Sequence, residues 1–543
     1  MKNVKVILAL ILAVALCLAL FAACGKTEAP AKTDTPAKTD TAPPKTDEPA
    51  KTEPAPADTD EPAETEEPAD EGPVTYDPED YVEVFMYMFD LRMVGADHGE
   101  RIQGLINEKI GPKYGLQTQI TYFTIGDWLT KVQLSISGGE RVDLMPLCFG
   151  SEVGNLVRNN MLVDIKDYLA EEAPETMDMM SDYLVTYERD GGLYGVPTMR
   201  GWVTNNYIIM RKDILEELDL LDFAEKLNSW SDFETIMGAV HEKYAGTGFW
   251  PHGKGAARSC VPSYLFDGDS FDSIEEWDGL ADGYGQVYTD NEGKVSWLLE
   301  DPRYVTKLEM VRRWADNGWI WPDSALTDTH GDELFKQNVI FSDMDGSEYG
   351  VEAVKSASAG FPLLCIQYAD GWINTNAMTR LGIGVPITAD EPEAACRMIN
   401  VLYTDEEIMN LLIRGEEGVD YTVANGEVVY PESGYYYEAD FILGNNTLLV
   451  PLQGQGADYF DQIKKINDEA HISEYLGFAV NTAPLVDLSA NLSAVNDQYT
   501  ADLFTGGYTP ELFAEYKSKL ETAGVQDYLA EIQNQLSAWL AAQ

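Results

Sequence analysis

Residues 190–218, DGGLYGVPTMRGWVTNNYIIMRKDILEEL, decide how the rest of the chain is read. The turn Gly191-Gly192 leads into a short extended piece, 193–198, in which Pro197 fixes φ and forbids helix. A second extended run, 203–210, is followed by a helix that starts near Asp213, with Asp213 as N-cap and Ile214, Leu215 and Leu218 as its apolar face. Two extended segments separated by a pause, lying between two α/β regions, are what a chain crossing from one lobe to another looks like.

Upstream of this crossing the sequence reads as an alternating α/β unit. The apolar, β-prone run 82–89 passes through Asp90, Leu91 and Arg92 into a helix over 96–113, with Ile102, Leu105, Ile106 and Ile110 at helical spacing. A strand over 116–123 follows, then a helix over 125–137 with the stripe Ile125, Trp128, Leu129, Val132 and Ile136, stopped by Gly138 and Gly139. A third strand, 142–148, ends at Phe149. This succession implies a parallel sheet with crossover helices. Ligands of open α/β sheets bind beyond the carboxyl ends of the strands, which makes Asp90, Arg92 and Phe149 ligand-side candidates. The alternatives are a solvated ion pair for Asp90 and Arg92, and core packing for Phe149.

Downstream, 230–244 reads as a helix capped by Ser229 or Ser231, the latter with Glu234 as a capping box. An aromatic, Gly-rich region over 248–288 leads to a hairpin, VYTDNEGKVSWLL, turning at 291–293, and Asp301-Pro302 opens the next helix. The run 339–345 reads as a return crossing into the first lobe, and a third crossing is placed at 372–378. Thr509-Pro510 starts one closing helix, and Val525, Tyr528, Leu529, Ile532, Leu536 and Trp539 line another. The resulting allocation is 74–199 plus 343–375 for the first lobe, and 200–342 plus 376–543 for the second.

The amino-terminal part stands outside this body. Lys2 and Lys5 precede an apolar run, 6–23, that ends in Ala22-Ala23-Cys24; it resembles a lipoprotein signal peptide over 1–24 with Cys24 as the lipidated residue, an uncleaved membrane anchor being the alternative. Residues 25–73 hold almost only Pro, Ala, Lys, Thr, Asp and Glu, with no aromatic or branched aliphatic side chain, so nothing there can be buried and a disordered linker is expected. Extended, it would reach on the order of 150 Å. A net charge of -55 argues against nucleic acid as a partner, because phosphate binding needs clustered Lys and Arg. Cys148, Cys260, Cys365 and Cys396 are too far apart in sequence to read as a zinc or redox motif; free buried thiols or one or two disulfides both fit. The five histidines include no metal-binding helical pair. Neither Asp267, Asp269 and Asp272 nor Asp343 and Asp345 matches an EF-hand loop, so no metal and no cofactor are expected.

Several quoted stretches share an order with one family. GVPT before a strand and MRKDIL, DWLTKVQLSISGGERVDLMPL, NSWSDFETIMGAVHEKY, YVTKLEMVRRWADNGWIWPD and EPEAACRMINVLYTDEEIMNLLIRGEEGVDYTV together resemble the extracellular solute-binding proteins of ABC importers. The tail resembles the carboxyl-terminal region of LipO-type lipoproteins, a carbohydrate-associated branch. The resemblance implies an α/β, type II periplasmic-binding-protein-like fold of two lobes joined by three hinge crossings. It further implies a lipid-anchored monomer on the outer face of a bacterial cytoplasmic membrane, which captures an oligosaccharide between its lobes and delivers it to ABC permease subunits without catalysis. Uronic-acid-bearing xylan fragments are among the sugars this branch suggests. With 11 Trp and 29 Tyr available to stack on sugar rings, Trp202, Trp250 and Trp372 are the candidate ligand tryptophans, with Arg200 placed to reach across the cleft. For each tryptophan ordinary core packing is the alternative. The rival function is a surface glycoside hydrolase using paired carboxylates, which this acid-rich sequence does not single out.

Overall fold

The structure, a computed structural model, describes residues 75–89, 95–148, 151–254, 260–275, 277–280, 284, 287–290, 292–327, 329–431 and 441–543. The expected signal peptide with Cys24, the expected linker over 25–73, and Asp90, Arg92 and Phe149 lie outside these residues. Among the described residues no helix is long and apolar enough to cross a membrane.

The chain first builds β1 (Val82–Phe89), α1 (Ala96–Tyr114), β2 (Leu116–Phe123), α2 (Ile125–Ser137), β3 (Met145–Cys148) and β4 (Val196–Pro197). It then builds β5 (Asn205–Arg211), α3 (Trp230–Tyr244), β6 (Trp250–His252), α4 (Pro302–Asp316), β7 (Ile340–Ser347), α5 (Val351–Ala359) and β8 (Leu363–Ala369). β9 (Leu381–Gly384), α6 (Pro392–Thr404), α7 (Glu406–Arg414) and α8 (Tyr459–Glu469) follow, and α9 (Val486–Phe504), α10 (Pro510–Ala523) and α11 (Val525–Leu540) close the chain.

β1 pairs in parallel with β2 and touches the approach to β3 through the parallel bridge Met86–Leu144, while β9 lies antiparallel between β3 and β4. The first sheet therefore runs β2-β1-β3-β9-β4. The second runs β8-β5-β7-β6. Each has its own apolar core. One gathers Met86, Ile106, Leu147, Val196, Ile383, Ile399 and Ile413, the other Ile208, Phe233, Trp314, Phe341, Leu364, Tyr516 and Ile532.

Sheet pairing corrects the segment allocation. The run 339–345 is not a crossing but most of β7, paired antiparallel with β5 and parallel with β6 inside the second lobe. β9 and α6 to α8 belong with the first core, and only α9 to α11 return to the second. Among the described residues, the chain passes between the lobes at 200–204, 370–374 and 470–474. A β-prone run followed by acidic and glycine residues has the same composition whether it is an inner strand or a passage, and only its partners tell the two apart.

Local signals behave as their chemistry dictates. Ser229 caps α3 by accepting from the Asp232 amide at 3.2 Å, Asp301 caps α4 from Arg303, and Thr509 caps α10 from Leu512 at 3.1 Å. Ser231 bonds Asp269 instead, and Glu234 accepts from the Trp314 indole, so no capping box forms there. Asp213 is not an N-cap: it lies within Lys212–Glu217, its carboxylate held by Arg211 at the cap position. Asp143, at the approach to β3, is fully buried because it accepts from the amides of Phe85 and Asp390, each at 2.9 Å, joining β1 to the segment before α6.

Candidate functional site

The register fixes which strand ends face each other. In the first sheet the ends of β1, β3 and β4 (Phe89, Cys148, Pro197) and the start of β9 (Leu381) lie together, and the first and second passages leave from there. In the second sheet the start of β5 (Asn205) pairs with the end of β7 (Ser347) and adjoins the end of β8 (Ala369). The seam between the lobes is thus bounded by these two rows, with the three passages running across it.

The passages touch one another along their length. The Gly371 amide donates to Asn205 Oδ1 at 2.7 Å, and a Cβ at Gly371 would sit 2.2 Å from the Thr204 carbonyl oxygen, so a glycine is required for the first two passages to lie this close. The Ile373 amide donates to His471 O at 2.9 Å and the Ser473 amide to Ile373 O at 2.8 Å, a parallel bridge between the second passage and the third. Asn467 of α8 accepts from the Trp202 amide at 3.1 Å and donates to Arg200 O at 2.7 Å.

The sequence candidates separate on this geometry. Trp372 lies on the second passage, half-buried, its ring stacked on His471 with centroids 5.5 Å apart and planes 8° apart. Arg200 lies on the first passage at 7 % exposure and reaches across the seam to the Glu348 carboxylate. Burial draws its guanidinium pKa down, against the pull of Glu348. Trp202 is on the same passage but points into the first core. Only 2 % exposed, it donates from its indole to Thr198 O at 2.8 Å and packs on Tyr183 at 4.5 Å. Trp250 is at the wrong end of its sheet: it pairs with Ile340, seven residues along β7 from the seam at Ser347, roughly 23 Å at strand rise.

Other seam residues had no sequence signal of their own. Glu348 and Tyr349 follow β7; Tyr349 meets the Tyr459 ring of α8 at 5.8 Å, and Asn205 donates to Gln367 at 3.2 Å. Acidic residues and tyrosines are so common here that type alone marks none of them. The seam offers flat rings, amides and carboxylates, a donor and acceptor set suited to a polyhydroxylated ligand with apolar C–H faces. Among the described residues it brings no nucleophile and base into contact. Among the described residues no His, Cys, Asp and Glu cluster is arranged to hold a metal. The second-lobe aspartates are engaged elsewhere, Asp269 by Ser231 and Asp345 by Lys355 at 2.6 Å. His252 is a core residue whose Nδ1 lies 3.0 Å from Ser342 Oγ, its pKa pushed down to about 3 by burial. The four described cysteines are free thiols, with Cys148, Cys260 and Cys396 buried.

Residues 474–541 match the model of a domain of unknown function, DUF3502, which covers the second-lobe helices after the third passage. The chain is 23% identical over 451 residues to a carbohydrate ABC transporter substrate-binding protein of Streptococcus pneumoniae, spanning 80% of this chain and 86% of that protein. Its fold matches the crystal structure of the N-glycan transport solute-binding protein NgtS of Streptococcus pneumoniae with a TM-score of 0.70 at 20% identity, covering 84% of this chain and 99% of that one. The structure of NgtS in complex with Man5GlcNAc matches with a TM-score of 0.58 at 21% identity, over 85% and 99% of the two chains. The chain therefore has the two-lobed fold of the type II extracellular solute-binding proteins, and in sequence it is similar to a carbohydrate-type member of them.

Proposed function

We propose that the protein is the substrate-binding component of an ABC importer, closing its two lobes on an oligosaccharide and presenting the closed form to permease subunits. The observation that carries this is the seam itself: two sheets present their strand ends to each other across three passages that lie side by side, with Trp372, His471 and Tyr349 at the crossing. Such a joint lets the lobes rotate while each core stays intact, so ligand binding is coupled to a shift between open and closed populations. Binding without catalysis is the role this reading assigns, supported by the stacking faces and hydrogen-bond partners of the seam and by the similarity to a transport binding protein.

The similarity to NgtS, a protein crystallised with Man5GlcNAc, favours mannose- and N-acetylglucosamine-containing oligosaccharides as the first ligands to try. Asp90, Arg92 and Phe149 stay within the proposed site because each follows a strand whose end borders the seam. Lipid attachment at Cys24, with 25–73 as tether, would hold a monomeric body at the outer face of the membrane. Isothermal calorimetry against N-glycan fragments, fructo-oligosaccharides and xylan fragments tests the reading. Saturable binding of one class without product formation supports it, whereas hydrolysis of any bound sugar, or no binding across the panel, overturns it.

A further inference from the structure

We propose that residues 348–350 form a latch across the seam that holds the lobes in the arrangement seen here. Glu348 and Tyr349 of the second lobe each grip an element outside it, and Gly350 passes close beside the second of these elements. The Glu348 carboxylate accepts from Nη1 of Arg200, whose other acceptor is the Gly201 carbonyl at 2.8 Å. Arg200 is buried, while the Glu348 side chain is 37% exposed, so the pair closes at the edge of solvent and Glu348 matches a charge that the first passage keeps inside. Tyr349 lays its ring on Tyr459 at the start of α8, with planes at 40°, and Tyr459 is set edge-on against Phe460 at 5.0 Å. Gly350, at φ 81°, passes so close that a Cβ would stand 3.2 Å from the Tyr459 ring.

The grip ends on one helix. α8 carries Asn467, which holds the first passage at Arg200 O and the Trp202 amide, and it leads directly into the third passage. None of residues 348–350 is buried in the core of its own lobe, and Tyr349 is 37% exposed despite its size. Rotation of the lobes about the passages must move residues 348–350 relative to α8, so their contacts bias the open–closed equilibrium. That the bias also sets ligand affinity rests on the function proposed above.

The test uses the full chain without sugar. In a Cys365→Ser background, nitroxide labels at Leu134→Cys on α2 and Val354→Cys on α5, sites 70% and 56% exposed on different lobes, report the interlobe distance by pulsed electron resonance. Glu348→Gln and Tyr349→Ala should each displace the distance distribution or add a second population. Should Glu348→Gln unfold through the unmatched Arg200, the exposed Tyr349 site still decides. A distribution unchanged in Tyr349→Ala would overturn the latch. Because no sugar is present, failure to find a ligand would count against the proposed function and leave this result standing.

Discussion

The three tryptophans show how one residue type takes three roles according to what surrounds it. Trp202 fills the first core and satisfies its indole there, so Trp202→Ala should cost roughly 3–5 kcal/mol in urea unfolding through the cavity it leaves. Trp250 stands far from the seam, and Trp250→Ala should leave oligosaccharide affinity within about twofold of the parent by calorimetry. Trp372 is half-buried at the crossing, and Trp372→Ala should weaken binding about tenfold with little change in melting temperature, in line with the loss of one stacking face. Equal effects of all three on affinity would show that the seam is not the site. Asp343 supplies a second residue-scale test. It is fully buried on β7, one carboxylate oxygen lacks a hydrogen-bond partner among the described residues, and burial pushes its pKa well above the carboxylate range. The folded form thus holds its proton at pH values where the unfolded form has lost it. Stability from this residue is full below the unfolded pKa of about 3.9 and declines as pH rises through the folded one. Asp343→Asn should therefore raise the melting temperature at neutral pH and flatten its fall from acid to neutral pH.

At the scale of elements, caps and close approaches decide the joints. Asp405 caps α7 by accepting from the Ile408 amide at 3.1 Å, and it also accepts from Lys113 Nζ and Tyr114 Oη of α1, each at 2.7 Å. Burial pushes its pKa up, but the hydrogen bonds from Lys113 and Tyr114 outweigh this and hold the carboxyl below its ordinary value. Its contribution is present above the unfolded pKa and is lost as pH falls through the folded one. Asp405→Ala should cost about 1–3 kcal/mol in denaturant unfolding at neutral pH, and less in acid. Gly371 makes a stricter demand. An added methyl would meet the backbone of Thr204, which cannot swing aside as a side chain would, so Gly371→Ala should cost on the order of 3 kcal/mol or spread the first two passages. A lowered melting temperature together with faster amide exchange over 371–373 is the expected readout.

For the whole molecule, two cores joined by three adjacent passages predict where ligand effects will concentrate. Amides that bridge passages, at Gly371, Ile373 and Ser473, should gain hydrogen-exchange protection when sugar binds, more than those within β1 or β5, which are already held by their own sheets. Protection spread evenly over both cores would instead report general stabilisation by mass action and not closure at the seam. The large negative charge is carried by the protein as a whole. The only cation placed on the passages by the described contacts, Arg200, is already matched by Glu348.

Much of the fold was legible from the chain because it is written in local chemistry. The periods of α1 and α2, the caps at Ser229, Asp301 and Thr509, and the first passage at 200–204 depend on neighbours a few residues away, and sequence carries those directly. Pairing is different. Whether 339–345 is a passage or an inner strand, whether Trp250 is near the seam or at the remote end of its sheet, and whether Trp202 faces a ligand or a core all depend on residues more than a hundred positions away. The same holds for Glu348 and Tyr349, which matter only because Arg200 and Tyr459 are brought to them. Tertiary structure decided these points, because a side chain's partner across a sheet or a seam is set by strand order and register, and neither has a local signature.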